Sequence, residues 1–183
     1  MRVYVPLTLA GLAAAFRARE VGPGAAFAVT PGLREWYAEG DDEELEYQAL
    51  MQAARASLRL LAAADDTALA EHGGSLLPRR VVVACEVDVA PPAGGGEPGD
   101  AGLRLDAVVP WSSVAAVHVD AAEAATVVEA AVAAWDAAEV GDDDALFAVD
   151  ACEGEELLWY ATQEVPDLLS EMGLLSEVGE QRS

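Results

Sequence analysis

The sequence predicts an α/β (α+β) fold. It is a two-layer sandwich in which a mixed sheet of roughly six or seven strands carries helices on one face, with ferredoxin-like character. Three observations point there. Short runs rich in Val alternate with longer amphipathic stretches along the chain. The two ends carry matching segments in the same order, as a duplicated strand–helix–strand unit would. A chain of 183 residues, 53% of them hydrophobic, can also bury a sizeable core without disulfides or metals to staple it.

Taken in order, Arg2–Pro6 reads as a strand with Val3 and Val5 on one face. Thr8 is placed to cap a helix over Leu9–Glu20, which Gly22-Pro23-Gly24 ends. Ala25–Thr30 is a second strand, and Pro31 opens a helical turn with Leu33, Trp36 and Tyr37. Asp41 or Asp42 caps the longest helix, whose first turn is acidic, as the helix dipole favours. Tyr47, Leu50, Met51, Ala54, Leu58 and Leu61 are expected to form its buried stripe. A polar stretch then runs to Pro78.

Arg79–Ala90 alternates Val83, Cys85, Val87 and Val89 with Ala84, Glu86 and Asp88, the pattern of a strand with one wet face. After the Gly/Pro-rich connector Pro91–Gly102, Leu103–Val109 is expected to return as its hairpin partner. Ala116–Val119 is a further strand, and Asp120 with Glu123 has capping-box spacing for a helix to about Ala138, with Val127, Val128, Ala131 and Trp135 as its stripe. Asp142-Asp143-Asp144 reads as a turn, Ala145–Asp150 and Glu156–Ala161 as strands, and Glu164–Met172 as a helix.

The proposed duplication aligns Val3-Tyr4-Val5-Pro6 with Val117-His118-Val119-Asp120. It then aligns Ala25–Thr30 with Ala145–Asp150, and Trp36-Tyr37-Ala38 with Trp159-Tyr160-Ala161. The expected organisation is one domain over 1–175, with repeat halves at about 1–78 and 115–175, a central hairpin at 79–109 and a frayed tail from 176.

Charge bounds the function. Ten Arg stand against 33 Asp and Glu, a formal charge of −23. Phosphate backbones need clustered cations, so neither nucleic acid nor an anionic membrane is an expected partner. An acidic surface can attract a basic protein, although solubility alone also explains it. A homodimer fits as well, because the wet face of Arg79–Ala90 leaves room for a second copy.

The apolar run Val3–Phe16 superficially resembles a secretory signal, but Pro6 interrupts it, its n-region is a single Arg2 and Arg17–Glu20 follows directly. Two isolated cysteines, Cys85 and Cys152, have neither disulfide-framework nor metal spacing. The expected location is the cytoplasm.

The chain contains no Lys, Ile or Asn. Their codons are AT-rich, so the composition suggests a high-GC genome, and it lowers the weight of helix assignments resting on Ala. The segments MRVYVP, AVTPGLREWY, EELEYQAL, ASLRLLAA, RRVVVA, VAAVHVD and LLWY, in this order, resemble a family of actinobacterial proteins of unknown function. The resemblance runs from Met1 to about Leu169 apart from the connector, and it implies no activity.

Without lysine there is no P-loop and no Schiff-base or pyridoxal-phosphate chemistry. No nucleophile elbow and no C-x-x-C motif is present either, so no cofactor is expected. His118 and Asp120, at i and i+2 on a strand, project to one face and are the weak candidates for an acid–base or metal-dependent enzyme. A partner-bonded or surface histidine is the competing reading. The acidic clusters Asp41–Glu46, Asp142–Asp144 and Glu153–Glu156 lack EF-hand spacing. Trp36, Tyr37, Trp111, Trp159 and Tyr160 are half-polar rings suited to an interface, with core packing as the alternative. The leading expectation is therefore a non-enzymatic binding or regulatory module working through protein contacts.

Overall fold

The computed structural model describes residues 1–64, 78–88 and 97–175. The polar stretch before Pro78, the strand end at Val89–Ala90, most of the connector and the tail from Ser176 lie outside the described residues.

Strand β1 (Arg2–Leu7) leads into helix α1 (Leu9–Ala18). Thr8 caps α1 by accepting the Gly11 N–H. The short strands β2 (Glu20–Val21) and β3 (Gly24–Phe27) follow, then α2 (Pro31–Trp36), capped by Thr30, and α3 (Asp42–Ala62). A capping box opens α3: the Asp41 side chain accepts the Glu44 N–H, and Glu44 reaches back to the Asp41 N–H. Next come β4 (Val81–Glu86), β5 (Gly102–Leu105), β6 (Val109–Pro110), β7 (Val114–Asp120), α4 (Ala125–Glu139), α5 (Asp143–Ala151), β8 (Leu157–Ala161) and α6 (Val165–Glu171).

Six strands form one sheet in the order β5-β3-β1-β4-β7-β8, and β2 pairs with β6 in a separate ribbon. Every neighbouring pair is antiparallel, which corrects the expected mixed sheet. The expected hairpin is also absent. β1 and β7 occupy the two edges of β4, so β5 pairs with β3 instead.

Both faces of the sheet are covered, so the arrangement is three-layered where two layers were expected. Val3, Val5, Val81, Val83, Cys85, Val117 and Val119 face α1, α6 and the indole of Trp111. Tyr4, Val82, Ala84 and Ala116 face α3. The wet face expected of Arg79–Ala90 is buried by the chain itself as far as Ala84, while Glu86, at the end of β4, and Asp88 beyond it are exposed as expected. Alanine is small enough to accept a helix lying close on the sheet. Ser57 pins that helix: its hydroxyl donates to the Leu7 carbonyl (2.6 Å) and accepts the Val81 N–H (2.9 Å). A third apolar cluster, with Leu58, Leu61, Val128, Ala131 and Val149, packs α4 and α5 onto α3.

The buried stripe of α3 is Leu45, Ala49, Ala53, Ala56 and neighbouring Ala54, Ser57, Leu58 and Leu61. Ala54, Leu58 and Leu61 belong to it as expected and Leu50 is half-buried against the core, but it also takes in Leu45 and the alanines, and Tyr47 points outward. Ala145–Asp150, expected as a strand, is helical. Asp142 caps it by accepting the Ala145 N–H, and Ala145 and Val149 are buried one turn apart. Asp120 ends β7 and caps no helix, and α4 has no side-chain cap. The matched segments of the two ends therefore adopt different structures. Ala25–Phe27 lies in β3 where Ala145–Asp150 is α5, and Trp36 closes a helix where Trp159 lies in β8.

Candidate functional site

Register places Tyr4 opposite Ala84 and Ala84 opposite Ala116, so three strands contribute one row across the sheet. His118 follows on the same face of β7, and Trp159 on β8 lies opposite it. The two alanines leave a depression between the Tyr4 ring on one side and His118 with Trp159 on the other. The first half of α3 lies along this depression and supplies Glu43, Glu46, Tyr47 and Leu50. The resulting groove, also lined by Arg2, has a volume of about 380 Å³. A second concavity, of about 510 Å³, adjoins it and shares Glu43 and Tyr47, and it continues to Tyr37, Gly40, Glu44 and Gln48.

Charge in the groove is negative on balance. Arg2 is neutralised by Glu46 (3.2 Å) and Glu86 (2.9 Å). The Tyr4 hydroxyl donates to Glu46 at 3.3 Å. Burial, and then the neighbouring Glu46 carboxylate, push the Tyr4 phenol up to about 12, so it keeps its proton. Burial and the Arg2 cation lower the pKa of His118 below 6.5, so at neutral pH its imidazole is uncharged.

Asp120, expected beside His118, is engaged by Arg80 instead. Asp120 is completely buried, and its carboxylate accepts the Arg80 backbone N–H (2.6 Å), Nε (3.0 Å) and Nη2 (2.7 Å). Both its oxygens are thus engaged by Arg80, and it makes no hydrogen bond to His118 among the described residues. Among the described residues no three His, Cys, Asp or Glu side chains come together as metal ligands. The acidic runs have local duties instead: Asp41 and Asp142 cap helices, and Glu153 pairs with Arg55 at 2.9 Å.

The five aromatic candidates separate. Trp159 is 61% exposed and lines the groove, while its neighbour Tyr160 packs into the core on the opposite face. Tyr37, 39% exposed, lines the second concavity. Trp36 is 64% exposed but lines neither, and its ring rests against Gly99. Gly99 has a φ of +87°, a backbone that other residues rarely adopt. Trp111 is core: it is 5% exposed, meets the Phe16 ring edge-on at 5.3 Å and lies under the Arg19 guanidinium.

Sequence reasoning missed Arg2, Tyr4, Glu43, Glu46 and Tyr47 as members of one site. The readable signal was the alanine stripe of α3, whose phase turns Glu43, Glu46 and Tyr47 toward the rim.

A family model described as a family of unknown function (DUF6912) matches residues 1–169. The chain belongs to this family. No curated protein and no solved structure matches it. The matched range spans every element that builds the groove in this DUF6912 member, from Arg2 on β1 to Trp159 on β8. Among the described residues no helix is long and apolar enough to cross a membrane.

Proposed function

We propose that this protein is a non-enzymatic binding module that works in the cytoplasm and recognises a basic segment of another protein. Its binding face runs over the first half of α3 and β8. The observation carrying this reading is the continuity of the two concavities, which share Glu43 and Tyr47 and display Tyr37, Tyr47 and Trp159 beside Glu43, Glu44 and Glu46. Aromatic faces and carboxylates both attract cations, and exposed Tyr and Trp act as anchors at interfaces. The formal charge of −23 supplies long-range attraction for such a partner and repels nucleic acid.

Calorimetric titration with a short Lys/Arg-rich peptide tests the reading against an acidic peptide of equal length. Saturable binding of the basic peptide alone is expected, weakened by Trp159→Ala and by Tyr47→Ala. Equal heats for both peptides, or binding untouched by either substitution, would defeat it.

A further inference from the structure

We infer that the outer edge of β8 is a dimerisation edge, on which a second copy of this chain lays its own β8 antiparallel about a two-fold axis at Leu158. The inference goes beyond the basic-segment reading and does not depend on it.

β8 closes one end of the six-stranded sheet, so one of its edges has no strand beside it. The Ala121 N–H donates to the Glu156 carbonyl (3.2 Å), so in the β7–β8 register Glu156, Leu158 and Tyr160 bond toward β7. Leu157, Trp159 and Ala161 therefore turn their N–H and C=O groups outward. The chain itself satisfies such groups on either side of a short window. The Ala161 N–H donates to Glu164 Oε2 (2.7 Å), and the Ala161 carbonyl accepts the Glu164 N–H (2.9 Å). Upstream, the Glu155 N–H donates to the Cys152 carbonyl (3.2 Å), and the Glu155 carbonyl accepts from Arg80 Nη2 (3.2 Å). Between them, the outward N–H and C=O groups of Leu157 and Trp159 have no partner among the described residues.

That window is self-complementary. In an antiparallel ladder, residues of a hydrogen-bonded pair exchange two N–H···O bonds. Setting Leu157 opposite Trp159 of a second copy, and the reverse, uses every open group of both windows and disturbs neither capped neighbour. This register puts Leu158 opposite itself and Glu156 opposite Tyr160, so no like charges are directly opposed. Leu157–Ala161 also holds no charged residue and no Pro, the guards that keep edge strands apart, whereas β5 at the other edge carries Arg104. The Trp159 ring, 61% exposed in one copy, gains Leu157 of the other as a neighbour. So short a pairing makes a weak dimer, and the charge of −23 on each copy opposes it at low salt.

The test uses the full chain. Residues directly opposite in a non-hydrogen-bonded antiparallel pair have Cα atoms about 4.5 Å apart, within disulfide range. Leu158→Cys should therefore cross-link into a dimer under mild oxidation several-fold faster than the exposed control Glu156→Cys, which meets Tyr160. The native Cys85 and Cys152 are buried and do not compete. In sedimentation equilibrium the wild-type mass should rise with concentration from 19.0 kDa toward twice that value, and rise further in high salt. Binding of a basic peptide responds to salt in the opposite sense, so either reading can fail while the other stands. Equal cross-linking of the two variants, or no cross-linked Leu158→Cys dimer, would overturn this pairing. A wild-type mass fixed at 19.0 kDa up to about 1 mM protein would overturn the dimer even if the cysteine variants misfold.

Discussion

Arg80 and Asp120 form a completely buried, two-pronged ion pair that ties three strands together at one end of the sheet. Arg80 leads into β4 and Asp120 ends β7, while Arg80 Nη2 also donates to the Glu155 carbonyl ahead of β8 (3.2 Å). The same contact removes Asp120 from any chemistry with His118. It therefore ties Asp120 to the fold of β4 and β7.

Removing one partner strands a buried charge. Asp120→Ala is expected to lower folding stability by about 3–5 kcal/mol, read from urea unfolding midpoints. Replacing both partners, Arg80→Met with Asp120→Leu, should cost much less than the single change, because neither charge is then left alone. A single change costing under about 1 kcal/mol would mean that the pair is solvated in solution.

His118 makes stability depend on pH with a defined sign. Its pKa is lower in the folded chain than the 6.5 of the unfolded one. As pH falls below 6.5 the unfolded chain takes up a proton that the folded chain refuses, so this contribution, complete above 6.5, declines until the lower folded value is reached. The groove that holds the imidazole is also lined by Arg2 and Tyr4 from β1, Glu43, Glu46 and Tyr47 from α3, and Trp159 from β8, and of these charges it is Arg2 that acts on the ring. Thermal melts of His118→Gln should show less loss between pH 6.5 and 5 than wild type. Identical slopes would show that the imidazole titrates normally.

Trp159 and Tyr47 separate folding from binding. Both are more than half exposed, at 61% and 55%, so Trp159→Ala and Tyr47→Ala should change stability by within about 0.5 kcal/mol. Binding of a basic peptide should still fall several-fold, since exposed aromatics at a concave site carry contact energy. A large drop in melting temperature would assign the rings to packing.

Salt gives an independent check on the electrostatic part. Interactions among exposed charges are screened beyond about 8 Å at physiological ionic strength. Affinity for a basic peptide should therefore fall steadily between 50 mM and 500 mM NaCl, chiefly through slower association. An affinity independent of salt would make the contact apolar and the charge of −23 incidental to it.

Local signals were legible where one residue does one job. Thr8 and Asp41 cap the helices they were expected to cap, and the strands at Arg2–Leu7 and Leu157–Ala161 fall where their patterns place them. Asp120 misled because its spacing to Glu123 imitates a cap, and only tertiary structure brings Arg80 to it. Ala145–Asp150 misled because a short apolar run suits either a strand or a buried helix face, and Asp142 decides for the helix. The α3 stripe was right at Ala54, Leu58 and Leu61 and wrong at Tyr47, because its first half is carried by Ala49 and Ala53, which let the helix lie on Ala84 and Ala116. The groove itself was invisible in the sequence: Tyr4, Ala84 and Ala116 become neighbours only through strand register.

The central claim is that the face from Tyr37 to Trp159 binds a basic segment. Its most direct measurement is a map of backbone amide and Trp159 indole NMR shifts as a Lys/Arg-rich peptide is titrated in. The account predicts that the shifts concentrate on Tyr4, Glu43, Glu46, Tyr47, His118 and Trp159 and saturate together. Shifts centred on another surface, such as the exposed Val140 and Phe147, or no saturable shift at all, would contradict it.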